Sequence, residues 1–236
     1  MIDILSLKEF CESYEVPQSD STLEMLDEFS ALLLERNRQV NLTAIKEPEA
    51  VSIKHLLDSL MIFRYVDFPA GATVIDVGCG AGFPSLPMLI ARPDLKMTFL
   101  DSTGKKLQFI ADTLETLQLS GTVLHARAEE EARKSVSRET YDFAVARAVA
   151  SLGSLCELTL PFVKPGGCFV AMKGKEGREE LAEAENAIAT LGGETEAVDC
   201  FTLPDGSERT IIPIKKISQT PTKYPRSSTA ILKKPL

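Results

Sequence analysis

VIDVGCGAGFPSLP, residues 74–87, joins one apolar run to another through three alternating glycines, Gly78, Gly80 and Gly82. Glycine permits a tight turn and close approach of a ligand to the backbone, because no Cβ stands in the way. A turn of this kind between a strand and a helix serves a nucleotide-like or phosphate-like group. The spacing narrows the choice. A dinucleotide turn reads G-x-G-x-x-G/A, with the last small residue packing helix against strand. Counting from Gly78 puts Phe83 at that place, followed by Pro84. The G-K-[ST] ending of a phosphate-binding P-loop is absent as well.

The chain around this turn alternates short β-rich runs with longer amphipathic ones. The runs are 73–77, 96–101, 122–127, 141–147 and 168–173, with helical segments near 84–92, 103–118, 129–136, 151–163 and 176–191. Strands with helices between them predict a parallel sheet covered on both faces. Only Pro204, Asp205, Gly206 and Ser207 separate the last two runs, 194–203 and 208–217. A connection that short cannot cross over, so it predicts an antiparallel hairpin at the sheet edge. Upstream, residues 1–65 read as helical. Ser21 and Glu24 fit a capping box, and Leu23, Leu26, Phe29, Leu33 and Leu34 share one face. A second helix is expected over 48–65. Three parts follow: a helical extension over 1–68 packed on the core, a catalytic-type domain over 69–217, and a basic tail over 218–236, where Pro221, Pro225 and Pro235 predict an extended or loose segment.

In an open parallel sheet the ligand crevice lies at the carboxyl ends of the strands, where this turn falls. Asp76-x-Gly78-x-Gly80-x-Gly82 is the pattern of S-adenosylmethionine-dependent methyltransferases, whose ligand carries no phosphate. The expected fold is therefore α/β: a Rossmann-like class I methyltransferase fold with a mostly parallel seven-stranded sheet and an antiparallel C-terminal hairpin, preceded by the helical segment. Asp101 ends the second strand, and a carboxylate accepts hydrogen bonds from vicinal ribose hydroxyls. It also suits a cap for the helix that begins near Gly104. Ala128 and Glu129, after the third strand, are placed to meet an adenine. The stretch 162–167, FVKPGG, is common in this enzyme class and serves equally as punctuation.

The fourth strand ends in residues 144–151, AVARAVAS, without the proline and aromatic that position an amine for methylation. Carbon-5 methylation of a pyrimidine needs a cysteine nucleophile. Cys156 and Cys168 read instead as small core residues. Guanine N7 needs neither device, because its lone pair is available at neutral pH and no proton leaves. Lys173 keeps an oxygen acceptor open. Arg147 ends an otherwise apolar strand and is expected at the site, on the cofactor or on the guanine O6 or a phosphate. His55, on an apolar helix face, reads as a satisfied core residue or else a contact to RNA, with Asp58 and Ser59 placed to hydrogen-bond it or to cap neighbouring backbone.

Of the 236 residues, 44% are hydrophobic and 25% charged, enough for a real core. The start has Asp3 and no basic region before an apolar block, and no run reaches the roughly 18 residues of a membrane span. The 5 cysteines are scattered, without C-x-x-C, which favours reduced thiols over disulfides or zinc. A cytoplasmic, metal-free monomer is expected. After Glu208 no acid occurs, while Arg209, Lys215, Lys216, Lys223, Arg226, Lys233 and Lys234 do. The overall charge of −8 thus divides into +7 there and −15 on residues 1–208, a pattern that suits a polyanionic partner or a solvated tail.

As a set, several motifs resemble the RsmG (GidB) family of bacterial small-subunit ribosomal RNA methyltransferases along nearly the whole chain. They are Asn41-Leu42-Thr43, His55-x-x-Asp58-Ser59, residues 76–84 (DVGCGAGFP), residues 100–102 (LDS), Gly104-Lys105-Lys106, Arg127-Ala128-Glu129, residues 146–148 (ARA), residues 223–226 (KYPR) and residues 233–236 (KKPL). The resemblance implies N7 methylation of a guanine in the decoding-region loop of 16S rRNA, with S-adenosylmethionine as donor. It places the cofactor at Gly78, Gly80, Phe83, Asp101, Ser102, Ala128, Glu129 and Arg147, with Arg147 also a candidate to position the acceptor. Lys105, Lys106, Arg127, Lys173 and Arg226 are candidate contacts to RNA phosphates. Other readings are a non-catalytic cofactor-binding module that docks on the ribosome, or another rRNA acceptor atom. The chain departs from the family pattern at Ser85, where glycine is frequent, and at residues 227–232, SSTAIL, where a Gly-Thr-Pro-like stretch is usual.

Overall fold

The computed structural model describes residues 2–147 and 150–236. The leader folds as α1 (Ile4–Ser13), α2 (Asp20–Asn37) and a composite helix made of α3 (Pro48–Val51), a π-helical stretch (Ser52–Leu57), α4 (Asp58–Leu60) and α5 (Ile62–Tyr65). Two expectations are corrected here. The helix near residue 21 starts earlier: Ser19, not Ser21, is its cap and accepts the Thr22 N–H at 3.2 Å, so the Ser21–Glu24 box is not used. The helix over 48–65 is not uniform, because its middle winds as a π-helix, a rare winding that recurs at functional sites.

Five parallel strands follow: β1 (Thr73–Val77), β2 (Lys96–Asp101), β3 (Thr122–His125), β4 (Tyr141–Arg147) and β5 (Val163–Lys173), ordered β3-β2-β1-β4-β5. The expected punctuation at 162–167 lies partly inside β5, which enters the sheet through an irregularity opposite Tyr141 and Phe143. Beside β5, antiparallel to it, runs β8 (Glu208–Lys216). The expected strand 194–203 is two strands, β6 (Gly193–Thr195) and β7 (Asp199–Thr202), both paired to β8. Pairing steps from Thr195 with Ile214 to Asp199 with Ile211, so one extra residue bulges out. Pro213 sits at that step and has no N–H to give to a second neighbour. The sheet thus has eight strands in seven positions across.

Side chains alternate across the sheet. Val74, Met97, Phe99 and Val145 join Leu7, Leu26, Phe29 and Leu56 of the leader in one apolar cluster. That cluster also takes in α6 (Ser85–Ala91) and α7 (Gly104–Thr116). Ile75, Val77, Ala144 and Phe169 face the other way, onto α9 (Leu152–Thr159) and α10 (Gly177–Thr190). A short helix, α8 (Ala128–Glu131), takes the place of the longer one expected over 129–136. The tail is not loose: Tyr224 and Ile231 are buried, and it ends in α11 (Ser228–Lys233) on the body. Among the described residues no helix is long and apolar enough to cross a membrane.

Candidate functional site

The glycine turn leaves β1 at the carboxyl edge of the sheet, and its backbone extends the ladder. Gly78 N–H and Cys79 N–H both reach the Leu100 carbonyl, at 2.8 and 3.1 Å. Gly80 and Gly82 have φ of +58° and +91°. They do different work. A Cβ on Gly82 would run into Leu86, so that glycine lets α6 close on the turn, whereas a Cβ on Gly80 would meet only the Gly78 carbonyl oxygen at 4.0 Å. The Gly80 side of the turn is open to a ligand.

That opening is a cavity of about 460 Å³. Gly78, Gly80, Phe83, Asp101, Ser102, Ala128, Glu129 and Arg147, from four strand ends, all line it. Asp101 is buried; its Oδ2 accepts the Gly80 N–H at 2.9 Å and its Oδ1 the Thr103 N–H at 2.7 Å. It therefore ties the glycine turn to the start of α7 while its carboxylate borders the cavity. Glu129 is buried and receives Arg127 Nε at 2.8 Å. Beneath the turn, Asp76 is fully buried. Its Oδ2 accepts the Ser85 hydroxyl at 2.5 Å, while Oδ1 has no partner among the described residues. Burial pushes this carboxyl up to about 7, against the pull of the Ser85 hydroxyl and the Arg147 charge. Ser85, one of the two departures from the family pattern, thus has a defined place as donor to Asp76.

The leader supplies a wall that single segments of sequence do not reveal. Asn37 accepts the N–H groups of Leu42 and Thr43 and donates to the Thr43 carbonyl, which fixes the loop before the composite helix. Leu42, Thr43 and His55 then line the cavity. His55 Nε2 lies 2.8 Å from Thr43 Oγ1, and its ring stacks on Phe83 with centroids 4.2 Å apart. Arg147 also lies over Phe83, with its guanidinium carbon 5.0 Å from the ring centroid. Three of its hydrogen bonds run to the leader: to the Lys54 carbonyl at 2.9 Å, Asp58 Oδ2 at 3.0 Å and His55 Nδ1 at 3.0 Å. Nδ1 faces a cation that can only donate, so it is the acceptor and the ring is neutral. Burial, then the Arg147 charge, pushes His55 down to about 3. The satisfied-core expectation for His55 holds, and the same residue is also a wall of the cavity. Phe83 belongs to this wall as much as to the turn.

Asp58 bridges two arginines, because its Oδ1 accepts Arg209 Nε at 3.0 Å. Arg209 comes from β8, and in the sequence it stands only as the first of the cations that follow Glu208. Together with Met172, Lys173 and Glu180, Asp58 and Arg209 line a second cavity of about 470 Å³. His55 and Arg147 line both cavities, so the two adjoin.

The candidate phosphate contacts separate. Lys105 is exposed, and Lys106 and Arg127 border the first cavity. Lys173 is buried, with Nζ on the Ala150 carbonyl at 2.7 Å and on Glu180 at 2.8 Å, so it is corrected from an open phosphate contact to an internal ion pair. Arg226 is corrected in the same way. Its guanidinium and backbone N–H are spent on Glu157, whose side chain is fully buried, and on the Lys234 carbonyl. Ala148 of the residues 146–148 motif lies outside the described residues. Cys156 and Cys168 are buried, as expected, and burial pushes the Cys168 thiol up to about 12. Cys79 borders the cavity, and burial raises its thiol as well. None of these three supplies a ready thiolate.

The GidB family model, described as rRNA small subunit methyltransferase G, matches residues 22–212. Ribosomal RNA small subunit methyltransferase G of Lachnoclostridium phytofermentans is 46% identical over 216 residues, 91% of this chain and 89% of that one. The protein of the same name from Halalkalibacterium halodurans is 45% identical over 237 residues and covers 100% of both chains. Among solved structures, a putative methyltransferase from Bacillus halodurans superposes with a TM-score of 0.53 at 14% identity, over 68% of this chain and 99% of that one. That likeness bears on the fold alone.

Proposed function

The chain belongs to the ribosomal RNA small subunit methyltransferase G family, and from that membership we propose that it methylates N7 of a guanine in the decoding-region loop of 16S rRNA. It is a methyltransferase with S-adenosylmethionine as the methyl donor. The observation that carries the reading is the pair of adjoining cavities at the strand ends, one edged by the glycine turn and both walled by His55 and Arg147.

The residues present fit the cofactor. Gly80 leaves open space, Asp101 offers acceptor capacity to ribose hydroxyls, and Ala128 and Glu129 border the same cavity for the base. Asp76 Oδ1, without a partner among the described residues, is spare acceptor capacity next in the chain to Val77 and Gly78, which line that cavity. When bound, the cofactor supplies an electrophilic methyl group on a sulfonium. Guanine N7 brings its own lone pair, so the protein has no proton to remove and no covalent intermediate to form. Its task is positioning and exclusion of water. The Asp58, His55 and Lys54 contacts fix Arg147, which makes it a rigid wall and not a mobile arm. A donor aimed at N7 would block attack, so its contact to the acceptor is O6 or phosphate. No metal ion is called for, and a monomer suffices.

The test is methyl transfer from labelled S-adenosylmethionine to 16S rRNA or small subunits that lack the modification, with the modified atom mapped. Product at guanine N7 is expected. Product on a ribose or on carbon-5 overturns the acceptor assignment, and tight cofactor binding without transfer favours a docking module.

A further inference from the structure

We propose that Glu180 selects guanine in the second cavity, its free carboxylate oxygen accepting the N1–H and the 2-amino group of the acceptor base. The proposal rests on the guanine-N7 reading and names the residue that reads the base there. Glu180 lies on α10, just past the end of β5, and borders the cavity that adjoins the cofactor cavity through His55 and Arg147. Its two oxygens are not equivalent. Oε2 accepts the Leu152 N–H at 2.8 Å and Lys173 Nζ at 2.8 Å. Oε1 has no hydrogen-bond partner among the described residues, and the side chain is 25% exposed. The carboxylate is thus anchored on one side and open on the other.

Anchoring matters, because a carboxylate that must be ordered when the base arrives loses rotamer freedom on binding. Lys173 is itself fixed by the Ala150 carbonyl, so the pair is a rigid unit. Asp58, the other carboxylate in this cavity, has an arginine on each oxygen and is not open in the same way. Guanine is the base whose Watson–Crick edge presents two adjacent donors, N1–H and the 2-amino group, to a single acceptor. Adenine presents an acceptor at N1, which a carboxylate repels. Enzymes that act on an extruded base read it by hydrogen bonds to that edge and by stacking on apolar side chains. Ile45 and Met172 supply apolar surface in the same cavity. A purine held at its Watson–Crick edge turns N7, on the opposite side of the ring system, away from Glu180 and toward the wall shared with the cofactor. The cavity volume lies within the range of small-ligand sites.

The test couples a protein change to a base change. Glu180→Gln keeps the shape, but Lys173 and the Leu152 N–H hold the amide oxygen, which turns the amide donors toward the base. Substrates are 16S rRNA assembled by ligation with guanosine or with inosine, which lacks the 2-amino group, at the mapped position. The wild-type protein should lose about tenfold in kcat/KM on inosine, and the variant should discriminate little between the two. The variant should also fall about 10- to 100-fold on guanosine, with calorimetric affinity for S-adenosylmethionine unchanged. The ratio of the two substrates within each protein is independent of any loss of folded enzyme. Equal discrimination by wild type and variant overturns the role of Glu180 while leaving the N7 reading intact. Wild-type product at another atom or base overturns that reading, and this proposal with it.

Discussion

At the scale of single residues, His55 and Asp76 are titratable groups held away from their ordinary states, in opposite senses. Burial and the Arg147 charge push His55 down to about 3, against 6.5 in an unfolded chain. Between those values the unfolded chain binds the extra proton. His55 therefore contributes stability that is complete above about pH 6.5 and is lost as the pH falls, at about 1.4 kcal/mol per unit. Burial pushes Asp76 up to about 7, against 3.8 unfolded. Here the folded chain holds the proton, so its contribution is present at low pH and is lost as the pH climbs toward 7. The two slopes partly cancel in the wild-type protein, and only a comparison isolates either one. Between pH 7 and pH 5, His55→Gln should lose about 2 kcal/mol less stability than the wild type, read by urea unfolding at both pH values. Equal losses would mean that the folded protein protonates His55. What could be read of this site from sequence follows the range of the interactions. Gly78, Gly80 and Asp101 announce themselves because the turn and its anchor are local. The partners of Arg147 lie 89 to 93 residues upstream, and no spacing rule connects them. The family resemblance brought Thr43, His55 and Asp58 into view as motifs, without their common purpose. Arg209 carried no local signal at all, since its role exists only once β8 has paired with β5 and brought it to Asp58.

Among the elements, the strand–turn–helix unit around Gly80 and the composite helix of the leader form the cavity together. The two turn glycines separate by experiment. Gly80→Ala places a methyl group in the open space beside the ligand, at a left-handed φ that costs roughly 1–2 kcal/mol. Gly82→Ala has a similar backbone penalty and a collision with Leu86 as well. Gly82→Ala should therefore be the less stable variant, by thermal unfolding. Gly80→Ala should stay nearer to wild type in stability yet show the larger loss of S-adenosylmethionine affinity per kcal/mol of stability lost, by calorimetry. The reverse order would mean that Gly80 serves packing and Gly82 the ligand. Parallel strands and the closing hairpin were legible here because hydrophobic runs and short connections are local signals. The break between β6 and β7 was not, because it depends on Pro213 meeting them across the ladder. The π-helical winding of residues 52–57 likewise has no counterpart in apolar spacing, which fits a regular helix equally well.

Across the whole molecule, the charge asymmetry takes on a different meaning once the tail is placed. An acidic body and an acid-free tail suggested a free basic arm, but the tail is strapped down. Arg133 and Arg138 donate to the carbonyls of Thr220, Lys223, Tyr224 and Pro225, and Arg226 pairs with the buried Glu157. That pairing spans 69 residues of sequence, which is why composition alone could not show it. The tail cations therefore fall into two groups that one experiment can separate. Arg226→Ala leaves the Glu157 carboxylate buried without its cation, a change that costs about 3–5 kcal/mol and lowers Tm by on the order of 10 °C in a chain of this size. Lys223, Lys233 and Lys234 are exposed, and replacing all three by glutamine should leave Tm nearly unchanged. If these three hold rRNA phosphates, the triple variant should flatten the dependence of log affinity on log salt by about 0.7–0.9 for each contact removed. A slope equal to the wild-type value would take the tail out of the RNA interface and leave it the purely structural role that Arg226 already has.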